Sequence, residues 1–497
     1  MAVIEPVVSA GRKLKDTSSL CTTCKQGIPA ALFEVDDRIV MRKFCAAHGA
    51  QEVLIASDAS WYHRNQSFPA ALKAPAFVKN PVEAGCPFDC GACSSHQQSV
   101  YLPVIPITSA CNLDCPICYT INKNEGAFNI SLEEFSQILA VIRRNDPGMK
   151  IINLTGGEPT RHPQLREIVG LCHEAGIHRV TISTHGLSFI HDESLLADLA
   201  ALKARIVLSF NSFNEETNKK MIGANIYKAK MRVLEQLAKH KVDTTLIPVL
   251  ALGVNDHEIG PLIKLALESD FIRSLEIHTM TFTGQSGVDF DSNTRITVPD
   301  VLKSIEAATG GKVRLGDFVP SPCAHPMCYQ TCYLLQTEAM GFVPFARFMS
   351  VDDIRTLLTD NLYMEPGEKM ETVLQGVISD LWAQENPDAT IEEVLKTLKR
   401  LIQQIFPARG VSYAEQQVLT ERAAKTIYVH SHMDEASFDT DRIRQCCVGV
   451  PSADGGNVPT CSYNILYRER DSRFSKTRPA PVTAVPGGRK WYAIHPR

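Results

Sequence analysis

The sequence predicts an α/β chain. A partial (β/α)6, TIM-like barrel follows a Cys-rich N-terminal metal-binding region and precedes a C-terminal region of helices and auxiliary metal clusters. Three observations carry this. Between residues 101 and 285, six short β-branched runs alternate with amphipathic stretches of helical length, the pattern of repeated βα units around a parallel sheet. Fifteen of the 16 Cys fall into five tight groups, and in a reducing compartment clustered Cys are metal ligands or catalytic groups rather than disulfides. Finally, Cys111, Cys115 and Cys118 form C-x3-C-x2-C just after the first predicted strand.

A length of 497 residues suggests about two to four domains, divided here as 1–100 (metal-binding), 101–285 (barrel), 286–467 (auxiliary clusters and helical cap) and 468–497 (a flexible basic tail). The net charge of −4, spread along the chain, gives no footing for nucleic acid as a partner. No apolar run approaches the ~18 residues of a membrane span, and the N-terminus has no signal-peptide core. A cytoplasmic protein, not integral to a membrane, is expected.

In chain order, Cys21-x2-Cys24 and Cys45-x2-His48 flank a short β-like segment. That is the ligand set of a metal knuckle for zinc or, alternatively, mononuclear iron. Cys86, Cys90 and Cys93 form a first C-x3-C-x2-C, and Cys111, Cys115 and Cys118 a second. Three thiolates at this spacing can hold three irons of a [4Fe–4S] cluster, leaving one iron open; a structural zinc site or a closed cluster completed from elsewhere fits the same spacing. Cys118 is followed by Tyr119, whose ring can pack against an aromatic ligand beside an open iron, whereas Cys93 is followed by Ser94. The catalytic assignment therefore goes to the second motif and an auxiliary cluster to the first.

Predicted strands span 101–107, 150–154, 179–183, 205–210, 242–250 and 274–279; predicted helices span 132–144, 164–175, 193–202, 215–240 and 257–267. Ligand chemistry belongs at the C-terminal ends of barrel strands, and polar motifs fall there. The second strand is followed by Gly156-Gly157-Glu158-Pro159, whose glycines allow close backbone approach and whose carboxylate can accept from an ammonium group. The third ends in Ser183-Thr184-His185. On the fourth, Ser209 and Asn211 share a face by alternation and suit the hydroxyls of a ribose. The turn 253–256 caps the next helix.

Beyond the barrel, Cys323, Cys328 and Cys332 make a further ligand group, and helices are predicted over 351–361, 370–384, 391–405 and 413–429. A hairpin at Asp454-Gly455-Gly456 would bring Cys446 or Cys447 towards Cys461. Cys172 alone stands outside the groups and reads as a small core residue.

The order and separation of Cys111-x3-Cys115-x2-Cys118-Tyr119 and Gly156-Gly157-Glu158-Pro159 resemble the radical SAM superfamily across residues 101–285. The resemblance implies that the three Cys hold a catalytic [4Fe–4S] cluster whose open iron chelates S-adenosylmethionine. It implies that Gly156, Gly157 and Glu158 bind the amino group of that cofactor, that Ser183 and Thr184 supply the strand-three contact (with His185 where Asn is usual), and that Ser209 and Asn211 bind the ribose. The activity implied is reductive cleavage to a 5′-deoxyadenosyl radical that attacks an unactivated C–H bond, with electrons from a low-potential donor of the ferredoxin or flavodoxin type. A narrower likeness, extending over the other Cys groups, is to two related groups. These are the radical SAM methylase of methanopterin biosynthesis, which implies methyl transfer to a small pterin-like molecule, and the tetraether lipid synthase, which implies coupling of lipid chains. Both imply one or two auxiliary clusters. A multi-cluster electron-transfer protein would need the Cys groups but neither Gly156-Gly157-Glu158 nor a barrel.

Overall fold

A small antiparallel sheet opens the chain. The computed structural model describes residues 11–120, 127–385, 387–407, 410–471 and 473–474; most of the basic tail expected over 468–497 lies outside them. Strands β1 (Arg12–Leu20), β2 (Gly27–Val35), β3 (Arg38–Cys45) and β4 (Gly49–Ala56) pair in sequence order. Asp36 and Asp37, at φ +48° and +59°, turn the β2–β3 hairpin in the left-handed conformation that two-residue hairpin loops require. Leu32, Ile39 and Met41 are buried in the same core as the barrel, so this sheet is packed onto the rest of the chain. Lys43 pins it: its buried Nζ donates to Ser19 Oγ and to the carbonyls of Leu20, Glu435 and Ala436 at 2.6–3.0 Å.

Among the described residues the second sheet has 13 strands. They are β5 (Leu102–Thr108), β6 (Ile151–Gly156), β7 (Arg179–Thr184), β8 (Arg205–Ser209), β9 (Thr244–Ile247), β10 (Val249–Leu250), β11 (Ile272–Thr279), β12 (Val319–Pro320), β13 (Tyr329–Thr337), β14 (Gly341–Pro344), β15 (Ala424–His430), β16 (Val448–Pro451) and β17 (Asn457–Pro459). The run β5-β6-β7-β8-β9-β11 is parallel and occupies the six predicted strand positions. Alternation decides its two faces. Ile152, Leu154, Val180, Ile182, Ile206 and Leu208 are fully buried beneath the outer helices. Their neighbours Asn153, Thr155, Thr181, Ser183, Val207 and Ser209 line a cavity of about 390 Å³ inside the curved sheet.

Three elements differ from expectation. The helix predicted over 215–240 is two helices, Glu215–Ile222 and Tyr227–Lys239. Gly223, at φ +79°, ends the first as a left-handed C-terminal cap. The break receives the loop that follows β5: Met221, Ile222 and Ile226 pack against Leu113, Cys115 and Ile117. The helix predicted over 413–429 stops at Ala423, because Thr426, Ile427, Tyr428 and Val429 are strand formers. They make β15, which pairs in parallel with β11 and extends the barrel. The segment expected to present Cys332 as a metal ligand is instead β13, antiparallel to β15.

The helices Val351–Leu358, Glu368–Trp382 and Ala389–Ile405 build a separate core on Tyr333 and Leu335 of β13, on the face that Tyr329 presents to the cavity. Replacing Lys43 with Met is expected to leave three buried or half-buried carbonyls without their donor and to lower stability by on the order of 3 kcal/mol. A urea titration checks this, and an unchanged midpoint would show that the contact contributes nothing.

Candidate active site and metal centres

The loop after β5 carries Cys111, Cys115 and Cys118 at the C-terminal ends of the parallel strands, and all three line the cavity. Its position is set by close approach to β6. Gly157 N donates to Thr108 O and Glu158 N to Ala110 O, both at 2.7 Å. A Cβ on Gly156 would lie 2.1 Å from the Thr108 carbonyl oxygen, and one on Gly157 would lie 2.3 Å from that of Ala110. Gly156 also has φ +139°. The two glycines therefore let the Cys loop lie flat against the strand, a role their motif shares with any contact to a ligand.

Glu158 is 1% exposed, and its carboxylate is already occupied. Oε1 accepts from Thr160 N, Thr160 Oγ1 and Thr184 Oγ1 at 2.6–3.0 Å. Oε2 accepts from His185 N at 2.9 Å and lies 3.2 Å from His185 Nε2. A carboxylate has about four lone-pair positions, so these contacts use its capacity. Glu158 and Thr184 join the ends of β6 and β7, and a cofactor ammonium would meet the backbone of Gly156 and Gly157 rather than a vacant carboxylate. His185 continues the brace. Its Nδ1 accepts from Leu187 N, and Nε2 lies 2.8 Å from Asn112 Oδ1, which assigns the proton to Nε2 and ties the Cys loop to β7. Burial lowers its pKa, in keeping with a neutral ring.

Each remaining predicted contact lies on the same cavity: Tyr119, Ser183, Ser209 and Asn211. Ser183 Oγ donates to Asn153 Oδ1 at 3.0 Å. Ser209 is held by Lys230, whose buried Nζ donates to the carbonyls of His185 and Ser209 at 2.6 Å and to Ser209 Oγ at 3.3 Å. Burial pushes the Lys230 pKa down to about 7. Asn211 Oδ1 accepts from Val249 N at 2.8 Å. In the turn after β10, Asn255 is fully buried and bonds Asn211 O, Val249 O and Ala251 N, so it braces two strand ends.

The three thiols suit a cationic cluster. Burial, then the charges of Glu158 and Cys118, push Cys111 up to about 11. Burial with the charges of Cys118 and Cys111 pushes Cys115 up to about 12. Thiolates crowded like this in a desolvated place persist when metal is bound to them. The N-terminal set also fits a metal. The ligand atoms of Cys21, Cys24, Cys45 and His48 all lie within 4.8 Å of one another, with His48 Nδ1 3.5 Å from Cys21 Sγ and 3.4 Å from Cys45 Sγ.

The auxiliary Cys separate into groups. Cys86, Cys90 and Cys93 lie on a loop shaped by Asp89 Oδ2, which accepts from the backbone N–H groups of Glu83, Ala84 and Gly85 at 2.7–2.8 Å. Burial, opposed by Arg444, leaves the Cys86 thiol up at about 11. The β16–β17 hairpin brings Cys446 beside Cys461; burial and then the charges of Cys461 and Cys328 raise the Cys446 thiol. Cys323 and Cys447 pack together with Tyr101 and Cys328, and Cys323 Sγ donates to the carbonyls of Leu358 and Asn361 at 3.2 and 3.3 Å. Cys332 departs from the expected group. It sits on β13 opposite Ile427, in the main hydrophobic core, because the strand carries it away from the loop that holds Cys328 and alternation places it on the face opposite the cavity-lining Tyr329. Cys172 is fully buried in that core as well.

Sequence reasoning did not find Lys230, Glu276, His278, His430 and His432, all but Lys230 of which line the cavity. The one visible signal was His430-Ser431-His432, hidden by the helical reading of what is β15.

Gly157→Ala is expected to lift the Cys loop off β6. Anaerobically reconstituted protein should then carry about four fewer irons per chain. Iron and sulfide analysis checks this, and full iron content would show that the loop tolerates the added Cβ.

Comparison with known proteins agrees with this layout. The radical SAM superfamily profile matches residues 105–266, and the HMPTM N-terminal zinc ribbon domain matches residues 13–57. The 7,8-dihydro-6-hydroxymethylpterin dimethyltransferase of Methanocaldococcus jannaschii is 28% identical over 93% of this chain and 96% of its own. The GTP 3',8-cyclase of Chlorobaculum tepidum is 27% identical over 41% of this chain and 63% of its own. Among solved structures, Streptococcus suis SuiB bound to S-adenosylmethionine matches 43% of this chain and 48% of its own, at 19% identity and a TM-score of 0.36; the chain thus spans about half the length of that protein. No helix among the described residues is long and apolar enough to cross a membrane. Residues 105–266 are a radical SAM domain, and the chain is a radical SAM enzyme.

Proposed function

We propose that the enzyme methylates a carbon of a small, polar, pterin-like ring. The observation that carries this is the character of the cavity below the Cys loop. Its volume, about 390 Å³, suits a small molecule, and Asn153, Thr181, Ser183, Thr245, Ser274 and Glu276 face it from alternate strand positions. Amides, hydroxyls and one carboxylate can orient a ring rich in nitrogen and oxygen. The M. jannaschii relative, named as a pterin dimethyltransferase and aligned along nearly the whole chain, supports the same reading.

In this reading Cys111, Cys115 and Cys118 hold the catalytic cluster. The backbone of Gly156 and Gly157 receives the cofactor amino group, and Ser209 and Asn211 the ribose. When bound, the [4Fe–4S] cluster and S-adenosylmethionine supply a carbon radical able to take hydrogen from an unactivated C–H bond. The chain's own part is positional. Glu158, Thr184 and His185 fix the Cys loop against β6 and β7. Lys230 sets the end of β8, and the enclosing barrel excludes water that would divert a reactive intermediate. Cys86, Cys90 and Cys93 hold one auxiliary cluster; Cys328, Cys446 and Cys461 hold a second, with Cys323 and Cys447 beside it. The ribbon Cys21, Cys24, Cys45 and His48 holds zinc or a single iron. Electrons enter from a ferredoxin- or flavodoxin-type donor. The division of the chain at residues 100, 285 and 467 separates the ribbon, the radical SAM barrel and the auxiliary-cluster and helical region.

One observation favours a second substrate class, a lipid chain. Past Arg179 and Tyr363 the cavity adjoins a smaller one of about 80 Å³, walled by Leu357, Met370, Leu374 and Leu398 beside Arg205, Arg273 and Glu421, so apolar side chains make up much of the wall beyond the polar cavity. The reduced enzyme, given S-adenosylmethionine and a polar metabolite fraction, is expected to form 5′-deoxyadenosine and a product heavier by one methylene unit. Cys115→Ala should form neither. Product only from the lipid fraction would transfer the assignment to lipid coupling, and no 5′-deoxyadenosine from either fraction would overturn both.

A further inference from the structure

Three imidazoles meet in the cavity where no role has been assigned. His278 is next to last in β11; its register partner His430 ends β15; His432 lies two residues further on. The ring centroids are 4.2 Å (His430–His432), 5.0 Å (His278–His430) and 5.2 Å (His278–His432) apart. One ligand atom from each lies within 4.8 Å of the others, a condition met among the described residues by this trio and by the ribbon site.

A second observation is the carboxylate behind them. Glu276, on the same face of β11, lies 3.0 Å from His278 Nε2 and 3.7 Å from His430 Nδ1, and also accepts from the Tyr329 hydroxyl. A carboxylate bonded to the far nitrogen of an imidazole is the usual support of a metal-bound histidine, fixing its tautomer and raising its basicity. Behind His432, Cys461 Sγ lies 3.7 Å from Nδ1. Among the described residues His278 Nδ1, His430 Nε2 and His432 Nε2 have no hydrogen-bond partner, and the cavity is what these rings line.

We propose that His278, His430 and His432 bind a divalent first-row transition-metal ion of the zinc or ferrous type, oriented by Glu276 and open towards the cavity. Imidazole donors select such ions, and three protein ligands leave a position for a substrate nitrogen or oxygen, or for water. The ion would sit beside the Cys loop, since the Tyr119 ring stacks on His432 at 5.8 Å and 16°. The site goes beyond the substrate reading and is tested without turnover.

The holoenzyme, prepared anaerobically with its clusters and ribbon metal in place, is titrated with Co2+ and examined by metal analysis and cobalt K-edge X-ray absorption. The expected result is about one added equivalent whose nearest shell is imidazole nitrogen and oxygen without sulfur. Sulfur-ligated cobalt alone, or no uptake, overturns the proposal, and this measurement needs no variant to fold. Glu276→Gln, which leaves all three rings, should weaken binding about 10- to 100-fold. His430→Gln should abolish the sulfur-free shell with iron and sulfide content unchanged. Binding unaffected by both substitutions also overturns the proposal.

Discussion

The Cys loop has no clearance from β6, and much of the site depends on that contact. Gly156 and Gly157 remove the two methyl groups that would hold the loop away. Glu158 then spends its whole carboxylate on keeping β6, β7 and the turn at Thr160 together. Removing one partner from such a buried, fully bonded network leaves charged or polar atoms without water or protein to meet them, which costs more than the bond itself contributed. The network is therefore best understood as a rigid seat. It has few alternative arrangements, and the three thiols inherit their positions from it.

Lys230 and Lys43 apply the same device at other joints. Each is a buried amine surrounded mainly by backbone carbonyls, and each fastens chain beyond the last residues of the strands it joins. Lys230 joins the ends of β7 and β8, and Lys43 joins the ribbon to the segment that follows β15. Metal sites in this chain thus stand on scaffolds whose geometry comes from hydrogen bonds to main chain. Those bonds persist whatever the side chains of the metal sites are doing.

The strand positions were legible because a parallel strand buried under helices is a continuous β-branched run, and the metal motifs because ligand spacing is local. What remained hidden is tertiary. Whether Glu158 faces a ligand or its own chain depends on Thr184 and His185, about 26 positions away. β15 was read as helix because its apolar residues also satisfy a 3.6-residue period when joined to the true helix before it, Tyr413–Ala423. With β15 went the pairing of His430 with His278, so His430-Ser431-His432 was the one trace of the imidazole cluster in the sequence. Cys332 shows the converse error: three Cys in ten residues read as one group, but the last of them lies inside β13, on the face opposite the cavity-lining Tyr329.

The register of β16 has a consequence for how the molecule is made. Val448 pairs in parallel with Leu102, so the strand that opens the barrel in the sequence gains its outer neighbour only after nearly all the chain has been synthesised. β11 likewise waits for β15. Pairings this distant close large loops before they return any contact energy and form slowly. The Cys86 and Cys111 motifs therefore leave the ribosome well before Cys446, Cys461 and the edges of the sheet exist to enclose them. Cluster loading should come late in biogenesis, on a nearly complete chain, with the exposed thiols of the first motifs needing protection from oxidation until the last strands arrive.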